Sequence, residues 1–163
     1  MSGSTHFTLK LVAALGCGLM AGAFFAFSAF VMSGLARLPA PQGVAAMQSI
    51  NVTAVTPLFM GVFMGMTLLS LGLGVAALLN RSAPGAGWVL AGSLLYVVGS
   101  FGITAACNVP LNDGLAALKP DSAEAASFWA TYLSVWTLWN HLRTVLCLGA
   151  TASFIVALCQ AGA

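Results

Sequence analysis

The stretch that decides the fold is residues 57–79, which read PLFMGVFMGMTLLSLGLGVAALL and contain no charged side chain. A bilayer core about 30 Å thick is crossed by roughly 20 apolar residues of α-helix. Within hydrocarbon the backbone N–H and C=O groups must be paired inside the segment, and an α-helix achieves this. The stretch therefore predicts a transmembrane helix.

Three further stretches of the same character surround it, at residues 11–35, 87–107 and 136–158. Of the 163 residues, 60% are hydrophobic and only 5% are charged, whereas soluble domains carry about 25% charged residues. We therefore predict an all-α fold, a four-helix transmembrane bundle in which residues 1–163 form one integral membrane domain. The first apolar run exceeds the roughly 7–15 residues of a cleavable signal peptide, so we expect it to remain in the protein.

The connections between these helices are unequal. Residues 81–86 form a short turn, while residues 36–56 and 108–127 form two longer connections on the opposite membrane face. Within the first of these, residues 44–51 are expected to form a short helix at the membrane interface. The even number of spans places both termini on the face of the short turn.

The second long connection contains its own helix signals. We expect Pro110 and Gly114 to break the third helix. Asp121 or Ser122 can cap the fourth, and nothing interrupts that helix from there to the C-terminus. The helix is then too long for the bilayer alone, so its first turns should stand outside the bundle.

Two GxxxG patterns, Gly18 with Gly22 and Gly61 with Gly65, suggest where helices approach one another closely. The four cysteines contain no CxxC pair, and we interpret them as small buried apolar residues with no metal site indicated. A net charge of +2 without a basic run argues against a nucleic-acid partner. The lower halves of all four helices are apolar, which disfavours a channel or transporter.

Polar side chains are concentrated on the long-connection face. The short-turn face has only Asn80 and Arg81 at its turn. The polar residues of the other face are Gln48, Asn51, Asn108, Asn112, Asp113, Asn140, His141 and Arg143. We therefore expect the functional site beneath the long connections.

The fourth helix carries the most informative pattern. At about 100° per residue, one stripe of the helix collects aromatic and polar side chains, and the opposite side is aliphatic and should face lipid. The stripe consists of Trp129, Tyr132, Trp136, Asn140, Arg143 and Cys147, and the opposite side of Leu138, Leu142, Val145 and Val156. The stripe should point into the bundle.

Arg143 lies about two turns inside this helix. A charge at that depth is costly and marks a functional site by default, although an arginine can also snorkel to the interface. No acid lies within the apolar spans, so the partner of Arg143 is Asp113 folding back, an amide such as Asn108, or an anionic ligand. His141 lies about 100° from Asn140 and faces a neighbouring helix or a second subunit, either as a structural donor or as a catalyst.

Several strings of the chain in combination resemble the anthrone oxygenase-like family of small four-helix membrane proteins. They are VMSGL at 31–35, MQSIN at 47–51, NVPLN at 108–112 and WTLWNHLRT at 136–144, together with Phe24, Phe27 and Leu38-Pro39. The resemblance implies oxidation of the activated methylene of polycyclic anthrones to quinones with O₂, without metal or flavin. Many bacterial members of the family have no assigned activity.

The residues suit such chemistry. Trp129, Tyr132 and Trp136 could stack on a flat aromatic substrate, with Gln48, Asn51 and Asp113 as further binding candidates. His141 is the candidate base, and Arg143, Asn108 and Asn140 are the candidate groups that hold a developing oxyanion. If His141 faces away, water or Asp113 must serve as the base.

Two hypotheses from different classes remain. One is a membrane-embedded oxygenase or oxidoreductase acting on a lipophilic aromatic with O₂, without a predicted cofactor. The other is a non-catalytic binding or assembly module whose Asn/His/Arg cluster is structural. An open pocket above Trp136 and Arg143 favours the first, and a filled, fully hydrogen-bonded cluster the second. We expect the protein to lie in the bacterial cytoplasmic membrane with both termini in the cytoplasm. A second copy of the chain, in a homo-oligomer, is a candidate partner.

Overall fold

The computed structural model describes residues 3–161, and within them the chain is helical from end to end, apart from short connections, with no strand. The α-helices are α1 (Gly3–Ala26), α2 (Met32–Leu35), α3 (Ala40–Ala54), α4 (Pro57–Leu79), α5 (Ala86–Tyr96), α6 (Val109–Ala116) and α7 (Ala123–Ala161). Three π-helical segments interrupt them, at Phe27–Val31, Val97–Gly102 and Thr104–Asn108. Consecutive elements join into long continuous rods.

Four of these rods are long and apolar enough to cross a membrane. They are the first span (Ser4–Leu35), the second (Pro57–Leu79), the third (Ala86–Ala116) and the fourth (Ala123–Gln160). The predicted four-helix transmembrane bundle is therefore confirmed, and the protein is an integral membrane protein. The first, third and fourth spans extend further than the apolar stretches alone predicted.

The spans form a ring in which each contacts its sequence neighbours, and the first closes against the fourth. The core between them is built from small and flexible side chains such as Ala13, Cys17, Met20 and Ala150, with Tyr96 and Phe154 as fully buried rings. Small side chains let the helix backbones approach closely where lipid gives no hydrophobic drive for association. The cysteine interpretation holds for Cys17 and Cys147, which are buried.

Of the four glycines in the predicted GxxxG contacts, only Gly18 faces another span, since a Cβ atom added there would lie 3.7 Å from the Thr151 side chain. A Cβ atom added at Gly22, Gly61 or Gly65 would meet nothing within 4 Å. Close approach occurs instead at Gly92, whose added Cβ would lie 3.2 Å from the Ala150 carbonyl oxygen. In a glycine-rich chain, spacing alone does not identify the glycines that face a neighbour.

The two long connections fold together over one end of the bundle. The predicted interfacial helix is confirmed as α3, and the Gln48 side-chain amide donates to the carbonyl oxygens of Leu115 at 2.8 Å and Leu118 at 2.9 Å. These bonds satisfy carbonyls at the end of α6. Val44 and Met47 pack on the first turns of α7, so those turns are covered by the connections, as the length of α7 required.

The expectation that Pro110 breaks the third helix was wrong. A π-helical segment ends at Asn108, and Pro110 then occupies the first turn of α6, where its missing N–H costs nothing. The third span therefore continues to Ala116. At the start of α7, the Ser122 hydroxyl accepts from the Ala125 amide at 3.1 Å, so Ser122 is the cap.

The short turn and the outer ends of the first and fourth spans meet at the other end of the bundle. Gly85, with φ 75°, turns the chain into α5 and lies against the backbone of Ala157, while His6 borders the same region. The described ends of α1 and α7 thus share one face. The terminal residues Ser2 and Ala163 lie outside the described residues.

Candidate functional site

A cavity of about 340 Å³ opens beneath α3, between side chains from all four spans. Its walls are mostly apolar and aromatic, with a few polar groups. The lining includes Phe24, Phe27, Ile50, Asn51, Phe59, Met60, Phe63, Phe101, Thr104, Ala105, Asn112, Trp136, Asn140 and Arg143. Apolar walls with few convergent polar groups are typical of small-molecule sites.

Arg143 is the charged group of this cavity. It is 5% exposed, and its terminal nitrogens donate to Thr104 Oγ1 at 3.0 Å and Asn140 Oδ1 at 2.7 Å. The guanidinium carbon lies 4.3 Å from the centre of the Phe24 ring and 5.3 Å from that of Trp136. Because all four of these partners also line the cavity, the guanidinium borders it directly.

The protein leaves Arg143 incompletely paired. A guanidinium has five N–H donors. Arg143 has two hydrogen-bond partners among residues 3–161, both of them neutral oxygens, and its buried Nε has none. The three carboxylates of the chain, Asp113, Asp121 and Glu124, are all exposed. A buried cation without a countercharge is costly, so this arrangement favours an anionic ligand.

Asn140 fixes the position of that cation. Its side-chain nitrogen donates to the Phe24 carbonyl and to the Ser28 hydroxyl, both at 2.7 Å, which directs its oxygen towards Arg143. Ser28 in turn lies 3.3 Å from the Thr144 hydroxyl. The first and fourth spans are thus joined by polar contacts at the depth of the guanidinium.

A column of aromatic rings stands beside the cavity. Trp129, Tyr132 and Trp136 stack at centroid distances of 5.5 and 5.8 Å. The side-chain oxygen of Asn112 accepts from the Tyr132 hydroxyl at 2.7 Å and from the Trp136 ring nitrogen at 2.8 Å. Of the three rings, only Trp136 lines the cavity, and Trp129 and Tyr132 hold its orientation from the side away from the cavity.

Replacing Asn112 by leucine is expected to destabilise the protein, because two buried aromatic donors lose their acceptor, at a cost of about 1–3 kcal/mol. The melting temperature in detergent should fall, and the tryptophan fluorescence should change. The matched comparison is Tyr132→Phe, which removes one donor. If Asn112 acts through these bonds, the double variant should lose less free energy of unfolding than the two single variants together. Losses that add strictly would contradict a bond between the two side chains.

The π-helical segments coincide with the cavity. Phe27 belongs to one, Phe101 to the second, and Thr104 and Ala105 to the third, and all four residues line the cavity. A π-turn widens the helix and re-aims its side chains, and such turns are frequent at functional sites. Thr104 also donates to the Ser100 carbonyl at 2.7 Å, which leaves its oxygen free to accept from Arg143.

The inward stripe predicted for the fourth helix is confirmed. All six of its members are buried, and Leu138, Leu142 and Val145 opposite them are exposed. Arg143 does not snorkel to the interface, because its guanidinium is enclosed by Phe24 and Trp136. Of the polar residues that the sequence places on the long-connection face, Asn51, Asn112, Asn140 and Arg143 line the cavity.

Other predicted residues lie elsewhere. Asn108 is buried and donates to the Trp136 carbonyl at 3.2 Å, but it does not line the cavity. Gln48 holds the connections together, and Asp113 is exposed rather than folded back on Arg143. His141 is exposed on the outer side of α7, because one residue rotates the helix by 100° away from Asn140, and it does not reach the cavity of its own chain.

Sequence reasoning missed three polar contributors. Ser28 and Thr104 hold Asn140 and Arg143, and Asn112 orients Trp136. A hydroxyl within an apolar span is a weak signal, since many such groups simply bond to their own helix. The π-helical turns that aim Ser28 and Thr104 have no sequence signature of their own, so neither residue could be placed from its spacing.

The fold and the cavity define a small four-span membrane protein with an aromatic-lined cavity that is bordered by one charged side chain. The model of the anthrone oxygenase family matches residues 58–153, which is more than half of the chain, and the protein belongs to that family. The matched region includes Asn108, Asn140 and Arg143. No curated protein and no solved structure matches the chain.

Proposed function

We propose that the protein is a membrane-embedded oxygenase that oxidises an anthrone- or hydroquinone-like aromatic with O₂. The observation that carries the proposal is a buried, incompletely paired guanidinium at the wall of an aromatic-lined cavity. Membership of the anthrone oxygenase family supports it. The ligand-sized cavity and the unused N–H donors of Arg143 support a ligand site over a structural cluster.

The cavity suits a flat lipophilic substrate with an acidic oxygen. Aromatic side chains such as Phe24, Phe63 and Trp136 contact ring faces and edges favourably. A phenolate or enolate oxygen is the anion that such a substrate offers to Arg143. The substrate would enter from the bilayer, where a polycyclic aromatic dissolves.

Among the described residues that line the cavity, Arg143 is the only ionisable one. The protein therefore acts on the acidity of the substrate, because a guanidinium beside the oxygen stabilises the anion more than the neutral form. The released proton goes to water. This favours substrates whose C–H or O–H bond is already weakly acidic, such as anthrones and hydroquinones.

For an anthrone, the reaction with O₂ then balances without another reagent, whereas a hydroquinone would pass two electrons and two protons to O₂ and give the quinone and hydrogen peroxide. An anthrone that has lost a proton from its methylene carbon is an electron-rich enolate, which passes one electron to O₂. The resulting radical and superoxide combine, and with a proton give a hydroperoxide on the same carbon. Loss of water leaves the carbonyl of the quinone, so one anthrone and one O₂ give one quinone and one water.

A non-catalytic membrane module is the second candidate. The stacked column of Trp129, Tyr132 and Trp136, tied to Asn112, is a filled and hydrogen-bonded arrangement of the kind a structural cluster needs. The open cavity beside it favours the enzymatic function. We further propose the bacterial cytoplasmic membrane as the location, with both termini in the cytoplasm.

Turnover by the purified protein in lipid nanodiscs is the direct test of the proposal. With an anthrone, we expect O₂ uptake above the spontaneous rate, quinone formation in a 1:1 ratio to O₂, and no accumulation of hydrogen peroxide. With ¹⁸O₂, one quinone oxygen should carry the label. Rates equal to those of empty nanodiscs, for both an anthrone and a hydroquinone, would reject the oxygenase and leave the binding module.

A further inference from the structure

A second cavity, of about 330 Å³, lies at the opposite end of the bundle, beside the short turn. It is formed by the first turns of α1, the last turns of α4 and the start of α5. Its lining comprises His6, Phe7, Lys10, Leu73, Ala76, Ala77, Asn80, Ala83, Pro84, Ala86 and Val89. It shares no lining residue with the cavity around Arg143.

Lys10 is the charged group of this second cavity, and it is turned inward. Only 9% of the residue is exposed, and its ammonium has no hydrogen-bond partner among residues 3–161. The acidic side chains of the chain all lie between residues 113 and 124, at the other end of the bundle, and none lines the cavity. A lysine at the membrane interface ordinarily extends into open water, whereas Lys10 lines this cavity with its ammonium unpaired among residues 3–161, which favours an anion in the cavity.

The start of α5 adds to the positive potential. Ala86, the first residue of this helix of 11 residues, lines the cavity, as does Val89 one turn later. Their backbone N–H groups donate to the carbonyl oxygens of Ala83 and Gly85, both at 3.0 Å, so the helix acts through its dipole and not through a direct bond. The N-terminal N–H groups of a helix carry a partial positive charge and bind phosphate readily. His6 and Asn80 supply further polar groups at the rim.

The remaining walls are apolar. Phe7, Leu73, Ala76 and Ala77 line the cavity beside Lys10, at the level where the first span enters its apolar stretch. A free phosphate ion would leave these walls unused, whereas a phospholipid presents a phosphate directly above its glycerol and acyl carbons. Among the described residues that line the cavity, none is a carboxylate that could pair with the ammonium group of a choline lipid.

We propose that this cavity binds the phosphate of an anionic phospholipid, with Lys10 as its countercharge and the dipole of α5 adding to the positive potential. Basic pockets between transmembrane helices bind lipid head groups in this way. The site is independent of the proposed oxygenase activity, since it uses the other end of the bundle.

The test is lipid retention, measured by native mass spectrometry of the full chain from mixed micelles of phosphatidylglycerol and phosphatidylcholine. The wild type should retain phosphatidylglycerol preferentially. Lys10→Gln should lower that preference roughly fivefold, the effect of one basic residue near an anionic surface. Lys10→Arg should keep it, and Arg81→Gln, an exposed cation in the neighbouring turn, is the matched control that should leave it unchanged.

A second variant tests the cavity without touching the charge. Ala76 is exposed and lines the cavity, so Ala76→Phe should fill it and lower phosphatidylglycerol retention while the melting temperature in neutral detergent is unchanged. Equal losses in Lys10→Gln and Arg81→Gln, or full retention in Ala76→Phe, would overturn the site. Stabilisation by millimolar inorganic phosphate equal to that by phosphatidylglycerol would overturn the lipid as its ligand.

Discussion

Substituting Arg143 by glutamine is expected to lower kcat/KM for anthrone oxidation by about 10²–10³-fold, because one oxyanion donor contributes roughly that much to turnover. Glutamine can still bond to Asn140 or Thr104 but carries no charge, so the substrate anion loses its stabilisation. Arg143→Lys should recover part of the rate, since it keeps the charge and loses the planar fork. O₂ uptake and melting temperature should be measured on the same preparations.

The melting temperature separates catalysis from structure. A glutamine at this position removes an uncompensated buried charge, so the protein should remain folded. Arg37→Gln, at an exposed arginine on the same membrane face, is the control for loss of charge alone and should leave turnover unchanged. Undiminished turnover with a collapsed melting temperature would show that Arg143 is only structural.

Ala105→Phe is expected to abolish most of the activity by filling the cavity. Ala105 is exposed and lines the cavity from the third π-helical segment. The phenylalanine ring would take the space that the bound substrate needs. Such overpacking costs about 1–3 kcal/mol, which corresponds to a roughly 5- to 150-fold loss of substrate affinity. The measurement is the KM for the anthrone together with binding by tryptophan fluorescence quenching.

The adjacent residue offers a matched control. Ala106 is equally exposed and lies in the same π-helical segment, but it does not line the cavity. Ala106→Phe should therefore leave KM and the melting temperature close to those of the wild type. Equal losses in the two variants would mean that a large side chain at any position of this segment disturbs the protein. Filling of the cavity would then not explain the lost activity.

The four spans and the inward stripe of α7 could be predicted because they rest on simple periodicities. An uncharged run such as residues 57–79 admits one structure in a bilayer, and a helix places Trp136, Asn140 and Arg143 on one side regardless of its neighbours. The prediction that Arg143 would lie inside the bundle followed from the aliphatic residues opposite it.

The rest depended on geometry that sequence patterns do not encode. The π-helical turns around Ser28 and Thr104 change which side chains each helix directs inward. The third of these turns runs directly into α6, so the helix continues past Pro110. Which glycines meet a neighbour depends on the rotation of each span, so Gly92 rather than Gly61 makes the close contact. The placement of His141 required only the helix angle, and its exposure agrees with the 100° offset from Asn140.

Stabilisation of the substrate anion by Arg143 is tested most directly by the absorption spectrum of an anthrone mixed with the protein without O₂. If the cavity binds the substrate and Arg143 stabilises its anion, the wild type should produce the red-shifted band of the enolate at a pH where the free anthrone is neutral. Arg143→Gln should bind without producing the band, and Ala105→Phe should require a higher anthrone concentration to produce it. Turnover by a wild type that shows no anion band, or an equal band in Arg143→Gln, would contradict the account.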